Sequence, residues 1–201
     1  MAAVERAVAA LRAGQPVLLP TDTVYGLCVT PDREAAVAQA HRLKGRPEST
    51  PTALLCADLH ALFERVPELQ GRPAASARAL LPGPYTLVLP NPERRFRWLS
   101  GGVRDTIGVR VPLLEGACRE VIRQVGAVAA TSANRHGGRD PRRLEDVPRE
   151  IRDGCAAEID GGELPGTPST VIDLTGPEPR ILREGAVPAT EALARLGTVA
   201  P

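Results

Sequence analysis

The apolar residues of this chain come in short runs, and proline or glycine shuts off almost every one. "PVLLP" (16–20), "TALLC" (52–56), "TIGVRVP" (106–112), "AVAA" (127–130), "AEID" (157–160), "STVIDL" (169–174) and "PRILR" (179–183) each fit one strand and little more. "LPGPYTLVLP" (81–90) is a turn that feeds another. None reaches the ~18 apolar residues of a membrane span. Twenty prolines and nineteen glycines in 201 residues sit mostly at the ends of such runs, as in a tightly punctuated fold rather than a disordered chain.

Helical patterns lie between these strands. Residues 1–13 place Val4, Val8 and Leu11 on one face, and Gly14 reads as the C′ residue. This opening is an amphipathic helix rather than a signal peptide, so a cytoplasmic protein with no membrane segment is expected. Thr30 reads as an N-cap, with Pro31 at N1 and Asp32 in the first turn. Ala36, Val37, Ala40 and Leu43 give this helix its apolar face, and Gly45 ends it. Further helices are predicted at 58–65, 74–81, 115–126, 143–151 and 188–196. Strands and helices alternate early and strands cluster late, which predicts an α/β (α+β) fold with helices packed on a mixed sheet. No repeat or linker divides the chain, so residues 1–201 read as one domain.

Composition marks particular residues. Cysteines 28, 56, 118 and 155 form no C-x-x-C pair, and the three histidines are scattered, so buried thiols are expected rather than a zinc site. Net charge is +1, which offers no global field for a polyanion. The basic clusters 94–97 and 142–143 read as solvated surface. Among 25 basic residues only Lys44 is lysine. Asparagine occurs only at 91 and 134, and tyrosine only at 25 and 85. A lone lysine in so arginine-rich a chain suggests a place where a compact point charge is needed.

The familiar phosphate loops and the nucleophile elbow are absent. Strand ends and turns carry small polar groups with a few cations instead. Thr21, Thr23 and Tyr25 follow the first strand, and Lys44 and Arg46 flank a helix end. Thr106 and Arg110 share one strand face with Gly108 between them. Thr131, Ser132 and Asn134 end a strand, Ser169 and Thr170 open one, and Arg183 closes one. Open α/β sheets bind ligands beyond their strand ends, so these groups are expected to converge there. Four cations suit a polyanion together with a carboxylate. Without an evident base or nucleophile, the chemistry would rest on positioning and charge neutralisation, which phosphoryl and nucleotidyl transfer tolerate.

"PTDTVYGL", "KGRP", "PGPYTLVL", "RVP", "TSAN", "STVIDL" and "ILREG", in this order over about residues 10–186, resemble the YrdC/Sua5 family of threonylcarbamoyl-AMP synthases. The resemblance implies a twisted mixed sheet with helices around a concave basic cleft. It implies a nucleotidyltransferase that joins L-threonine, bicarbonate or CO2 and ATP into threonylcarbamoyl-adenylate and pyrophosphate. The product would serve tRNA modification next to the anticodon, completed by a separate transferase complex. Carried over by position, Thr23, Arg110, Ser132 and Ser169 would contact threonine, with Tyr25 lining the cleft nearby. Arg46, Thr106, Asn134 and Arg183, with Thr50 as a weaker candidate, would hold ATP. Lys44 would neutralise charge at the α-phosphate, and with Arg46 it forms the catalytic pair. Magnesium would ride on the triphosphate. Asp22 reads as structural.

The chain departs from the family pattern in three places. Thr52 stands where leucine is expected after the proline, and Leu55 falls near a position that is histidine in some members. The loop after "TSAN" reads "RHGGRDPRR", more charged than a Ser-Gly turn. With 201 residues, the sequence is expected to be the short single-domain form, without the C-terminal domain of the longer Sua5 type. The competing reading is a non-catalytic protein that binds RNA in the same cleft; near-neutral charge and the lack of stacking aromatics weigh against it. A similar domain in hydrogenase maturation belongs to longer proteins with zinc-finger cysteines.

Overall fold

The computed structural model describes residues 2–103 and 105–197. The apolar runs become the strands β1 (Val17–Pro20), β2 (Tyr25–Val29), β3 (Ala53–Cys56), β4 (Tyr85–Pro90), β5 (Thr106–Arg110), β6 (Ala127–Ser132), β7 (Ala157–Glu158), β8 (Thr170–Asp173) and β9 (Arg180–Arg183). The helices are α1 (Ala2–Ala13), α2 (Glu34–Lys44), α3 (Leu59–Arg65), α4 (Gly71–Leu80), α5 (Gly116–Val125), α6 (Arg149–Asp153) and α7 (Ala189–Gly197). All nine strands join one sheet in the order β7-β1-β2-β6-β3-β5-β4-β8-β9. The pairs β1/β7, β3/β5 and β4/β8 are parallel and the others antiparallel, so the sheet is mixed as expected.

Because side chains alternate along a strand, each strand serves two cores. Leu18, Leu27, Leu54 and Ala129 point to one face, where they meet Val37 of α2, Leu62 of α3, Leu80 of α4 and Ile151 of α6. Val17, Leu19, Cys28, Leu55 and Val128 point to the other, beneath Val8 and Leu11 of α1 and Val121 and Ile122 of α5. Each large side chain so buried contributes roughly 1.5–3 kcal/mol. The first face is covered from β1 through β8, since Leu87, Ile107 and Ile172 belong to the same core as Leu196 of α7. The second is covered only as far as β3.

The start of α2 differs from expectation. Its N-cap is Arg33, which makes no side-chain capping bond, and the helix begins at Glu34. Thr30, Pro31 and Asp32 lie outside it, and tertiary contacts hold the last two. The Pro31 carbonyl accepts Trp98 Nε1 at 2.8 Å, and Asp32 Oδ1 pairs with Arg65 Nη1 at 2.6 Å. The C-terminus is as expected. Gly45 adopts φ +60°, and the N–H groups of Gly45 and Arg46 bond back to the carbonyls of Arg42 and His41, each at 3.0 Å.

Gly101 fixes the loop between α2 and β3. At φ +60° it packs so closely that a Cβ would collide with the backbone of Ser49 and Pro51. Gly102 N bonds Ser49 O and Thr52 N bonds Leu99 O, both at 2.9 Å. Gly101→Ala is expected to cost at least ~1 kcal/mol; an unchanged midpoint in chemical denaturation would refute this.

Candidate active site

The uncovered half of the second face holds a cavity of about 590 Å³. Its floor follows from register. Ala53 of β3 lies opposite Ala130 of β6, and Gly108 lies opposite Val88 of β4. A Cβ on Gly108 would sit 3.8 Å from Ala53 Cα. Small residues on three neighbouring strands thus keep the trough open. Thr21 and Thr23 of the β1–β2 turn, Arg46 and Thr52 of the α2–β3 loop, and Thr131 and Ser132 of β6 line it. Thr86, Ser169, Asp173 and Arg183, on or beside β4, β8 and β9, line it too. Val103 and Leu182 rim the cavity at 58% and 55% exposure. The groups therefore meet on the face of the sheet, not beyond its strand ends, because α1 and α5 leave that face bare.

Of the ten residues singled out, Thr23, Arg46, Thr106, Arg110, Ser132, Ser169 and Arg183 line this cavity. Lys44, Thr50 and Asn134 are outside its lining. Lys44 is 4% exposed and its Nζ donates to the carbonyl of Ser132, to the carbonyl of Asn134 at 2.7 Å and to Asn134 Oδ1 at 2.7 Å. Asn134 Oδ1 also accepts from Ser132 Oγ at 2.7 Å, and Asn134 Nδ2 donates to Asp140 Oδ1 at 3.1 Å. Lys44 thus clamps the turn that presents Ser132. Burial and the neighbouring Arg46 lower its pKa to about 8, against an opposing pull from Asp140. Thr50 is half-buried, its N–H closing a turn onto Pro47 O at 3.0 Å.

Tyr25 does not line the cleft. Its ring is wholly buried in the first core, and its hydroxyl bonds Asp160 Oδ1 at 3.0 Å and Gly162 O at 2.9 Å. Position 25 is a β2 residue whose alternation sends it away from the cavity, opposite to Gly26.

The cations differ in their partners. Arg110 Nη2 donates to Asp22 Oδ1 at 2.7 Å, and the two side chains are only 11% and 8% exposed. Burial raises the Asp22 carboxyl and lowers Arg110, and each opposes the other's shift. Asp173 Oδ2 pairs with Arg180 at 2.7 Å. Arg46 and Arg183 are held by uncharged acceptors instead: Thr131 Oγ1 at 3.0 Å and the Pro51 carbonyl for Arg46, Ser169 O at 2.9 Å for Arg183. The basic character of the cleft is concentrated in these two. Arg183 reaches Ser169 Oγ at 3.3 Å, and that hydroxyl also meets Thr86 Oγ1 at 2.7 Å.

Sequence reasoning missed Thr86, Asp173 and Asp140 as lining residues and the pairing of Asp22. Alternation along β4 and β8, the same signal that joined Thr106 to Arg110, was available for the first two. The departure at Thr52 has a partner. Its buried hydroxyl meets His41 Nε2 at 2.8 Å, while His41 Nδ1 meets Pro47 O at 3.1 Å, which ties the Arg46 loop to α2. Leu55 lies in the second core. The charged loop after Asn134 is anchored by pairs of Arg135 with Glu150 and of Arg142 with Glu163. Arg94 and Arg95 likewise pair with Asp105 and Glu68. The four cysteines are free, and burial pushes Cys56, Cys118 and Cys155 to about 12.

Residues 9–185 match the Sua5/YciO/YrdC family described as "Telomere recombination". The threonylcarbamoyl-AMP synthase of Pyrococcus abyssi is 36% identical over 190 residues, 94% of this chain and 56% of that protein. The protein of that name from Stenotrophomonas maltophilia is 39% identical over 173 residues, 82% of this chain and 90% of that protein. The one from Bacillus subtilis is 32% identical, and the match spans 98% of this chain but 57% of that protein. The chain thus spans little more than half the length of some curated relatives. Among solved structures, P. abyssi Sua5 complexed with L-threonine superposes with a TM-score of 0.87 at 36% identity, over 98% of this chain and 58% of that one. YciO of E. coli gives 0.82 at 26% identity, over 94% and 92%. Matched along most of its length in both sequence and sheet, this chain belongs to the Sua5/YciO/YrdC family.

Proposed function

We propose that the chain is an L-threonylcarbamoyladenylate synthase, acting on L-threonine, bicarbonate or CO2, and ATP. The observation that carries this reading is a single cavity holding two unlike cation sites. Arg110, with Thr23, Ser132 and Ser169, suits a hydroxy amino acid: the guanidinium takes the carboxylate and the hydroxyls read the polar groups. Arg46, paired with no carboxylate among the described residues, suits phosphate, and Arg183 and Thr106 complete the nucleotide side. The synthases named above and the threonine-bound relative support the same assignment.

In this reading the unprotonated threonine nitrogen forms a bond to carbon dioxide, supplied as such or by dehydration of bicarbonate, and releases one N–H proton to solvent, giving a carbamate. A carbamate oxygen then attacks the α-phosphorus, and the bond to the β-phosphate breaks to release pyrophosphate. The protein supplies position and charge, which such transfers chiefly require. Lys44 holds the Ser132–Asn134 turn and contributes a buried positive charge. To touch the α-phosphate it exchanges one of its three oxygen acceptors for a phosphate oxygen. Magnesium, arriving on the triphosphate, would offset phosphate charge. The product would pass to a transferase that modifies tRNA, in the cytoplasm.

Pyrophosphate release from ATP is expected to need both L-threonine and bicarbonate, and to fail with valine. Release independent of threonine would refute the assignment. Lys44→Ala is expected to lose about 100-fold or more in turnover, the scale of a lost charge-stabilising donor. It also leaves buried oxygens unsatisfied at about 1–3 kcal/mol each, so the substitution costs stability as well. Lys44→Arg is expected to be impaired too, since a guanidinium is not interchangeable with an ammonium here; wild-type turnover in both variants would remove Lys44 from the mechanism.

Lys44 also makes a pH prediction. Its folded pKa is lowered from 10.5 to about 8, so between those values the unfolded chain binds the proton that the folded chain has lost. Rising pH therefore favours the folded state through this group, while the ammonium disappears above about 8. Labelling lysine with 13C at the ε carbon gives a single side-chain signal in this chain, expected to titrate near pH 8. A midpoint at the ordinary lysine value would contradict the burial argument.

A further inference from the structure

The buried pair of Asp22 and Arg110 is made by one contact where two are available. Arg110 Nη2 donates to Asp22 Oδ1 at 2.7 Å and reaches Thr23 Oγ1 at 3.4 Å. Asp22 Oδ2 and Arg110 Nε are both buried, and among the described residues neither has a hydrogen-bond partner. A carboxylate facing a guanidinium usually closes two parallel bonds. Here the acid grips one corner of the cation and leaves its neighbouring donor empty.

The two residues also differ in where they stand. Arg110 lines the cavity, whereas Asp22 lies outside its lining. The acid therefore does not occupy the space that an anionic ligand would take. Its backbone is well fixed. Thr21 Oγ1 donates to Val24 O at 2.7 Å and accepts from the N–H groups of Thr23 and Val24 at 3.3 Å, which locks the β1–β2 turn. The same turn presents Thr23 to the cavity. One rigid turn thus sets both a hydroxyl and, through Asp22, the attitude of a guanidinium that begins on β5, far along the sheet.

We infer that Asp22 is a positioning residue for substrate binding: it holds Arg110 from outside the cavity, by one nitrogen, so that the guanidinium meets the carboxylate of the incoming amino acid. This rests on the reading of Arg110 as the amino-acid site. Asp22 touches no substrate and takes no part in the transfer, so its loss should weaken threonine binding more than any later step. A role confined to stability would shift unfolding and leave threonine affinity alone.

The test is steady-state kinetics of the full chain with Asp22→Ala, Asp22→Asn and Asp22→Glu. Asp22→Ala is expected to raise KM for threonine about tenfold or more, with KM for ATP and kcat at saturating threonine within about twofold, the pattern of lost uniform binding. Asp22→Glu should recover most of the affinity, since it restores a carboxylate on the same turn. If Asp22→Ala does not fold, Asp22→Asn supplies the comparison. An unchanged KM for threonine in a folded variant, or equal rises for threonine and ATP, would overturn the inference while wild-type activity leaves the synthase reading standing. A wild-type chain without threonine-dependent turnover would overturn the synthase reading. Calorimetric titration with L-threonine then decides the inference: binding by the wild type that Asp22→Ala loses upholds it, and equal binding or none in both overturns it.

Discussion

Two helices lie on one face of a nine-strand sheet, and they stop at β3. The cavity exists because of that stop. On the covered half, second-face positions are apolar: Val17, Leu19, Leu55 and Val128. On the bare half, the same positions are Thr86, Thr106, Arg110 and Ser169, with Val88 and Val171 on the floor. The opposite face keeps its leucines and isoleucines throughout, so the sheet remains stable although half of one side is left as an open cavity. Fold and site are therefore two readings of one alternation. Slipping any of these strands by one residue would exchange core for cavity.

That alternation explains how much of the site could be read from the sequence. Thr106, Gly108 and Arg110 share a face by spacing alone, and the structure brings all three to the cavity. Lys44 stood out by composition, and the structure buries it against three oxygens of the Ser132–Asn134 turn. What escaped was contact between distant segments. Asp22 and Arg110 are 88 residues apart, and no local pattern announces their pairing. Tyr25 sat within a polar stretch and was placed in the cleft, yet strand parity assigns Gly26, not Tyr25, to that face. Thr30 had the identity of an N-cap, but Trp98 and Arg65 claimed its neighbours and the helix began later. Identity set the candidates, and long-range partners chose among them.

Charge within the cavity is distributed in the same economical way. Arg110 and Arg180 each face an aspartate, while among the described residues Arg46 and Arg183 bond to neutral oxygens. A guanidinium withdrawn from water without an acid is costly, so a ligand that brings negative charge gains most at the half-buried Arg46, while Arg183 is exposed. Burial lowers Arg46 without a nearby carboxylate among the causes, which fits a cation waiting for an anionic partner. At Arg110 the cation is already compensated, and what the site offers there is direction more than net charge. A zwitterion suits the second kind of site and a polyphosphate the first.

Lys44 brings these threads together. The chain uses arginine at 24 of its 25 basic positions, so the exception calls for a geometric reason. An ammonium directs three donors tetrahedrally from one small centre, and at Lys44 three oxygens from two residues converge on that centre. A planar guanidinium spreads its donors along a fork and cannot serve so compact a cluster without moving the turn. Two of those oxygens belong to the backbone, and they are fixed by the path from β6 to the loop that follows. The backbone thus demands a lysine before any ligand arrives. The turn it secures carries Ser132 into the cavity, so a single tetrahedral charge supports one wall of that cavity.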